Sequence, residues 1–179
     1  MTLIWREATK ADRPALQGFK CTDPAPREPG KRPGPHPRRW EDDVQKAIHS
    51  LPVPLSGADG VALLGLDGED LAAVVVWSGI HGRPALYKLR LLAVSRERRT
   101  VGGNSIGPLA RQALAEALFR IASEAPGADV FGLVDIRNRA SQRVLTEAGL
   151  ERVDGPASDP DLEMWAATLP ISEDPDAEA

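Results

Sequence analysis

The chain has 179 residues, 42% hydrophobic and 27% charged, a length and balance that suit one globular domain with its own core. Its single cysteine, Cys21, excludes an intrachain disulfide and a cysteine-based zinc site. The formal net charge of −4 comes from Glu173, Asp174, Asp176 and Glu178 near the C-terminus, so the body is neutral and is not a generally basic nucleic-acid binder. No run approaches the ~20 apolar residues of a membrane span, and Met1 to Glu7 lacks the long apolar region of a secretory signal, so a cytoplasmic location is expected.

Leu3 to Arg6 reads as a first strand. Ala11 to Cys21 reads as a helix, with Leu16 and Phe19 inward and Pro14 in its first turn, where proline is tolerated. Residues 22–39 hold Pro24, Pro26, Pro29, Pro33, Pro35 and Pro37, which predicts an extended, partly mobile loop. It is basic, with Arg27, Lys31, Arg32, His36, Arg38 and Arg39 against Asp23 and Glu28. Trp40 to Leu51 reads as a second helix, with Trp40, Val44, Ala47, Ile48 and Leu51 on one face. Gly60 to Leu66 and Leu71 to Trp77 read as strands joined at Asp67-Gly68, a hairpin signal. Ala85 to Val94 is a long strand and Ser95 to Ser105 a polar, glycine-containing loop.

Ile106 to Ala125 is the clearest helix. Ile106, Leu109, Ala110, Ala113, Leu114, Ala117, Leu118 and Ile121 form a continuous apolar stripe, with Pro108 in the first turn. Val130 to Val134 is the next strand. Asn138 then caps a helix on which Ala140, Val144, Leu145 and Ala148 share a face, and Gly149 fits a left-handed C-terminal position. Leu162 to Leu169 is the last strand. The domain spans residues 1–169, with the 22–39 loop inside it, and residues 170–179 form an acidic tail expected to be disordered. A helix between two strands implies a parallel pair, so the sheet should be mixed.

Strand, glycine-containing loop and helix N-terminus together make an anion site between Leu89 and Pro108, because free N–H groups and the helix dipole both favour phosphate. Arg98 and Arg99 add positive charge, and Gly102, Gly103 and Gly107 let backbone approach a ligand. Taken alone, a glycine pair and two arginines would be only a solvated loop. The strand before them and the helix after them favour phosphate.

The run Asn138-x-x-Ser141-x-x-Val144-Leu145-x-x-x-Gly149-Leu150 resembles the second cofactor-contacting motif of the GCN5-related N-acetyltransferases (GNAT), most closely the ribosomal-protein N-terminal acetyltransferase branch. The resemblance implies a single-domain α/β (α+β) fold. Its central sheet would be mixed and mostly antiparallel, with about six to seven strands flanked by about four helices. It also implies acetyl-CoA as co-substrate. The family's Arg/Gln-x-x-Gly-x-Gly/Ala signature falls on the loop in two frames. Arg99 to Asn104 matches its first four positions; Gly102 to Gly107 keeps the terminal glycine and is preferred, because Ile106 starts the helix stripe. On this resemblance Arg99, Gly102, Gly103, Asn104, Ser105, Ile106 and Gly107 wrap the pyrophosphate. The backbone of Leu91, Leu92, Ala93 and Val94 pairs with pantetheine, and Asn138 and Ser141 line the opposite wall.

Acetyl transfer needs a neutral amine, a polarised carbonyl and a thiolate that can leave. Many relatives place a tyrosine seven residues after the motif asparagine as general acid; here that residue is Leu145. Where some relatives carry a glutamate base, Lys88 stands. What remains is proximity, with backbone N–H groups of Leu92 or Ala93 on the carbonyl and water taking the amine proton. Tyr87, Asp135 and Ser141 are candidate catalytic side chains, with Glu41, Asp42 and Asp43 as further carboxylates. Each has a plainer reading: strand packing for Tyr87, turn stabilisation for Asp135, and helix N-terminal charge for residues 41–43. His36, His49 and His81 show no metal-ligand spacing, and no metal is expected.

The expected function is therefore direct acetyl transfer from acetyl-CoA to an amine, on a small molecule, a protein or peptide N-terminus, or a lysine. The alternatives are an acyl-CoA-binding module with weak or no turnover, and a toxin-like acetylation of aminoacyl-tRNA suggested by the basic loop. No membrane or nucleic-acid partner is otherwise expected, and a homodimer is compatible with the sequence.

Overall fold

A computed structural model describes residues 3–23, 38–55, 60–98, 107–154 and 159–171. Its seven strands are β1 (Ile4–Glu7), β2 (Val61–Asp67), β3 (Asp70–Ile80), β4 (Arg83–Val94), β5 (Asp129–Asp135), β6 (Glu151–Val153) and β7 (Leu162–Thr168). The helices are α1 (Arg13–Gly18), α2 (Arg39–His49), α3 (Pro108–Glu124) and α4 (Arg139–Glu147). The strands form one mixed sheet in the order β1-β2-β3-β4-β5-β7-β6. Only β4 and β5 are parallel neighbours, and α3 makes the crossover between them, as a helix between two strands requires.

β3 lies mid-sheet and is buried on both faces, which is why it reads as a nearly continuous apolar run. Val74 and Val76 face the layer of α1 and α2, where they meet Leu16, Phe19 and Ile48. Val75 and Trp77 face α3, where they meet Ala117 and Ile121. This is the period-2 alternation of a strand with a core on each side. A third cluster joins Ala110, Ala113 and Leu114 of α3 to Val144 and Leu145 of α4, with Trp165 of β7.

The expected elements occur, with four corrections. The first helix is shorter than Ala11 to Cys21: a 3-10 turn over Lys10–Asp12 leads into α1, which ends at Gly18 because Phe19 is extended (φ −64°, ψ 131°). β3 and β4 run on to a tight hairpin at His81-Gly82, with Gly82 at φ +76°, although Ser78, Gly79 and Pro84 are residues that favour a loop. The stretch 95–105 opens with a 3-10 turn over Arg96–Arg98. A seventh strand, β6, pairs with β7; three residues, two of them charged, carry no periodic signal.

Among the described residues no helix is long and apolar enough to cross a membrane. Much of the proline-rich loop (residues 24–37) and most of the acidic tail (172–179) lie outside the described residues.

Candidate active site

The β4–β5 ladder has four rungs, from Leu86↔Asp129 to Leu89↔Gly132. Beyond that rung β4 continues to Val94 and β5 to Asp135, with no register between them. The cause lies on β4. Opposite β3, Val76 pairs with Leu91 and Trp77 with Leu89, so Arg90 is an extra residue and the strand bulges there. A bulge bends its strand and ends pairing locally. The two strands splay, and a cleft of about 330 Å³ opens between them.

Leu89 to Leu92 line one wall of the cleft and Gly132 to Asp135 the other. Leu114 of α3 and Asn138, Ser141, Val144 and Leu145 of α4 close it on one face of the sheet. Arg39, Trp40, Asp43 and Val44 of α2, with Arg137, Asp159 and Asp161, form the mouth on the other. The volume is at the small end for a ligand pocket and the lining is mostly aliphatic.

The wall of α4 is built from its own start. The Asn138 Oδ1 accepts from the Ser141 backbone N–H (3.2 Å), satisfying a first-turn donor, and the Asn138 Nδ2 donates to the Ser141 Oγ (2.8 Å). At the other end Gly149 takes φ +83° and the Leu150 N–H returns to the Leu145 carbonyl (2.9 Å), a left-handed stop that ends α4. Leu145 is buried and lines the cleft.

Asp135 ends β5. It is 8% exposed, and its Oδ1 accepts from the Arg137 backbone N–H (2.9 Å) and Nε (2.8 Å) while Oδ2 accepts from Nη2 (2.6 Å). The Arg137 guanidinium holds this carboxyl below the usual carboxylate range. A carboxylate so engaged is a weak proton acceptor, and its geometry is that of a turn anchor. Arg137 also lies 3.5 Å from Asp161 and sets its guanidinium carbon 5.5 Å from the centre of the Trp40 ring.

The other expected residues fall as follows. Leu92 lines the cleft, whereas Ala93 and Val94 are buried in the cores on opposite faces of the sheet. Tyr87 is half-buried on the paired part of β4, packs against the α3 cluster and does not line the cleft. Lys88 sits beside it, opposite Phe131. Gly107 is the N-cap of α3. Arg99, Gly102, Gly103, Asn104, Ser105 and Ile106 lie outside the described residues. Arg98 bonds Asp67 and Asp70, which ties the start of the loop to the β2–β3 hairpin. Glu41 accepts from Thr22 and Arg38, Asp42 pairs with Lys46, and Asp43 lies 3.6 Å from Arg39. Of these three carboxylates only Asp43 lines the cleft.

No sequence pattern marks Arg39, Arg90, Gly132, Arg137, Asp159 or Asp161 as a site residue, and the helical spacing places Trp40 only on the apolar face of α2; all seven line the cleft. Arg137 stands directly before the motif's asparagine. Among the described residues no group of three or more His, Cys, Asp or Glu side chains is placed to hold a metal ion.

No protein-family model matches this chain. No curated protein matches it by sequence. Solved structures do match by fold. The ribosomal-protein-S18-alanine N-acetyltransferase from Escherichia coli aligns over 99% of both chains at 15% identity, with a TM-score of 0.59. An acetyltransferase from Thermus thermophilus aligns over 94% of this chain and 98% of its own at 19% identity and a TM-score of 0.58. The GNAT domain of S. lividans PAT aligns over 93% and 90% at 18% identity and a TM-score of 0.60. The chain has the GNAT acetyltransferase fold.

Proposed function

We propose that the protein is an acetyl-CoA-dependent N-acetyltransferase that transfers acetyl directly to an amine. The observation that carries this reading is the splay of β4 from β5 at the Arg90 bulge, which leaves an extended, mostly apolar slot with open backbone edges. A pantetheine arm, itself extended and amide-bearing, can pair with the edge of Leu91 and Leu92 as a missing strand would. Its diphosphate would then lie toward the N-terminus of α3, where Gly107 leaves the helix without a side-chain cap and the first turn holds no acidic residue.

In the transfer the amine nitrogen attacks the thioester carbonyl and the C–N bond forms. The C–S bond breaks, the thiolate leaves as coenzyme A, and the amine releases a proton to water. Backbone N–H groups at the bulge polarise the carbonyl, and the aliphatic walls strengthen that interaction by excluding water. The acceptor enters from the α2 side, past Trp40 and Arg137. The acceptor is an amine of a small molecule, a protein or peptide N-terminus, or a lysine, and the reaction would run in the cytoplasm.

A second reading, an acyl-CoA-binding protein with little turnover, is favoured by one observation. Leu145 fills the place of the relatives' acid, and Asp135, the buried carboxylate of the cleft, is committed to Arg137. Calorimetric titration with acetyl-CoA, followed by coenzyme A release with a panel of amines, tests both. Binding with turnover supports the transferase. Binding without turnover supports the second reading, and no binding at millimolar acetyl-CoA overturns both.

A further inference from the structure

Three chain segments meet at Arg137. Its Nε and Nη2 grip the buried Asp135 at the end of β5, its Nη2 lies 3.5 Å from Asp161 just before β7, and its guanidinium lies over the Trp40 ring in the first turn of α2. A planar fork held on one edge by a buried carboxylate has little freedom left, and it stacks on an aromatic face as an ammonium does not. The indole that carries this guanidinium lines the cleft. It shares that lining with Leu133 and Leu162, both apolar. Asp43, on the same turn of α2 as Trp40, is paired with Arg39.

We propose that Trp40 and Arg137 form a specificity-determining pair that admits slender, unbranched primary amines and turns away amines branched beside the nitrogen. This inference rests on the transferase reading above. A cleft of about 330 Å³ must also take the thioester end of the cofactor. The space left past the indole then suits a nitrogen on a methylene chain. Trp40 sets the width, and Arg137 acts through Trp40 as a positioning residue.

The test compares n-butylamine with sec-butylamine, which differ only in branching, using the wild type, Trp40→Ala, Arg137→Met and Arg137→Lys. The wild type should prefer n-butylamine in kcat/KM. Trp40→Ala and Arg137→Met should each cut that preference at least tenfold, with acetyl-CoA affinity within twofold of wild type. Arg137→Lys should not restore the preference, because an ammonium cannot hold the fork geometry. An unchanged preference in both folded variants, or a wild type with none, overturns the pair. So does a loss of acetyl-CoA affinity in Trp40→Ala, which would put the ring on the cofactor side.

Amide hydrogen exchange supplies a readout independent of turnover. The first turn of α2 should exchange faster in Arg137→Met than in wild type, and equal rates would overturn the contact even if neither amine is acetylated. A wild-type protein that binds no acetyl-CoA would sink the transferase reading instead, and the calorimetry separates that failure from this one.

Discussion

Gly107→Glu separates cofactor binding from folding. Gly107 caps α3 with φ −70° and ψ −168°, a backbone any residue adopts, and it offers no side chain to the first turn. Pro108 brings no N–H, and the Ala110 N–H returns to the Gly107 carbonyl at 3.1 Å. No acidic residue offsets the positive end of this 17-residue helix. A glutamate there should therefore leave the fold intact or raise its stability by about 0.3–1 kcal/mol. The same charge opposes a diphosphate. Two unit charges about 8 Å apart repel by about 2 kcal/mol at an effective dielectric near 20, and physiological salt removes part of that. With more than one phosphate charge present, a loss of acetyl-CoA affinity of at least tenfold is expected, about 1.4 kcal/mol. The assay is calorimetric titration beside a thermal melt, with Gly107→Ala as the control for loss of the glycine. Equal affinity in Gly107→Glu and Gly107→Ala, both folded, would refute a diphosphate at the start of α3.

Acetyl-CoA at about 100 times its dissociation constant should stabilise the wild type by about 2.7 kcal/mol, raising Tm by roughly 5–11 °C for a domain of this size; a flat melt across that titration counts against binding. Tyr87→Phe should lose less than about tenfold in turnover, because Tyr87 lies on the paired part of β4 and outside the cleft, whereas a true general acid contributes roughly 10²–10⁴-fold. For pH dependence the revealing group is Asp12, 7% exposed, which accepts two bonds from Arg6 and two from Thr9 and is thereby held well below the usual carboxylate range. A carboxyl depressed in the folded state contributes stability that is fully present above its unfolded value, about 3.9, and lost as pH falls through the folded value. Asp12→Asn should therefore be less stable than wild type at pH 7, with the gap closing below about pH 4, and a constant gap down to about pH 2.5 would refute that account.

The parts of the fold written in local chemistry were legible. The Asn138 cap, the α4 stripe, the Gly149 stop and the α3 stripe from Leu109 to Ile121 each follow from side chains a turn apart and are present in the structure; Ile106, the expected start of that stripe, lies outside the described residues, and α3 begins at Pro108. The parts set by pairing were not. The bulge at Arg90 is a misregister between β3 and β4, and nothing in Leu89-Arg90-Leu91-Leu92 marks its position. Of the strand whose backbone the family resemblance gives to pantetheine, Leu91 and Leu92 line the cleft, and the side chains of Ala93 and Val94 are buried on opposite faces of the sheet. The mouth was illegible for a related reason. Trp40, Arg137 and Asp161 lie on separate segments, and only the sheet order brings those segments together.

The distribution of polar groups along the cleft bears on where the chemical difficulty of the proposed transfer lies. A thiolate is a far weaker base than the amide anion that would otherwise have to leave and departs with little need of an acid, so a leucine at 145 is a modest loss. A primary amine, with a pKa near that of lysine at about 10.4, must shed a proton before it attacks, and there the cleft offers little. Asp135 is engaged on both oxygens by Arg137, and Asp43 is paired with Arg39 on the surface of α2. Ser141 is held by Asn138. The aliphatic walls of Leu89, Leu91, Leu92, Leu114, Val144 and Leu145 work in the amine's favour, because a low dielectric disfavours a charged ammonium and favours the neutral form. On this reading the protein selects the neutral amine by desolvation at the Trp40 mouth and polarises the carbonyl with backbone at the bulge, and the missing tyrosine matters less than the missing base.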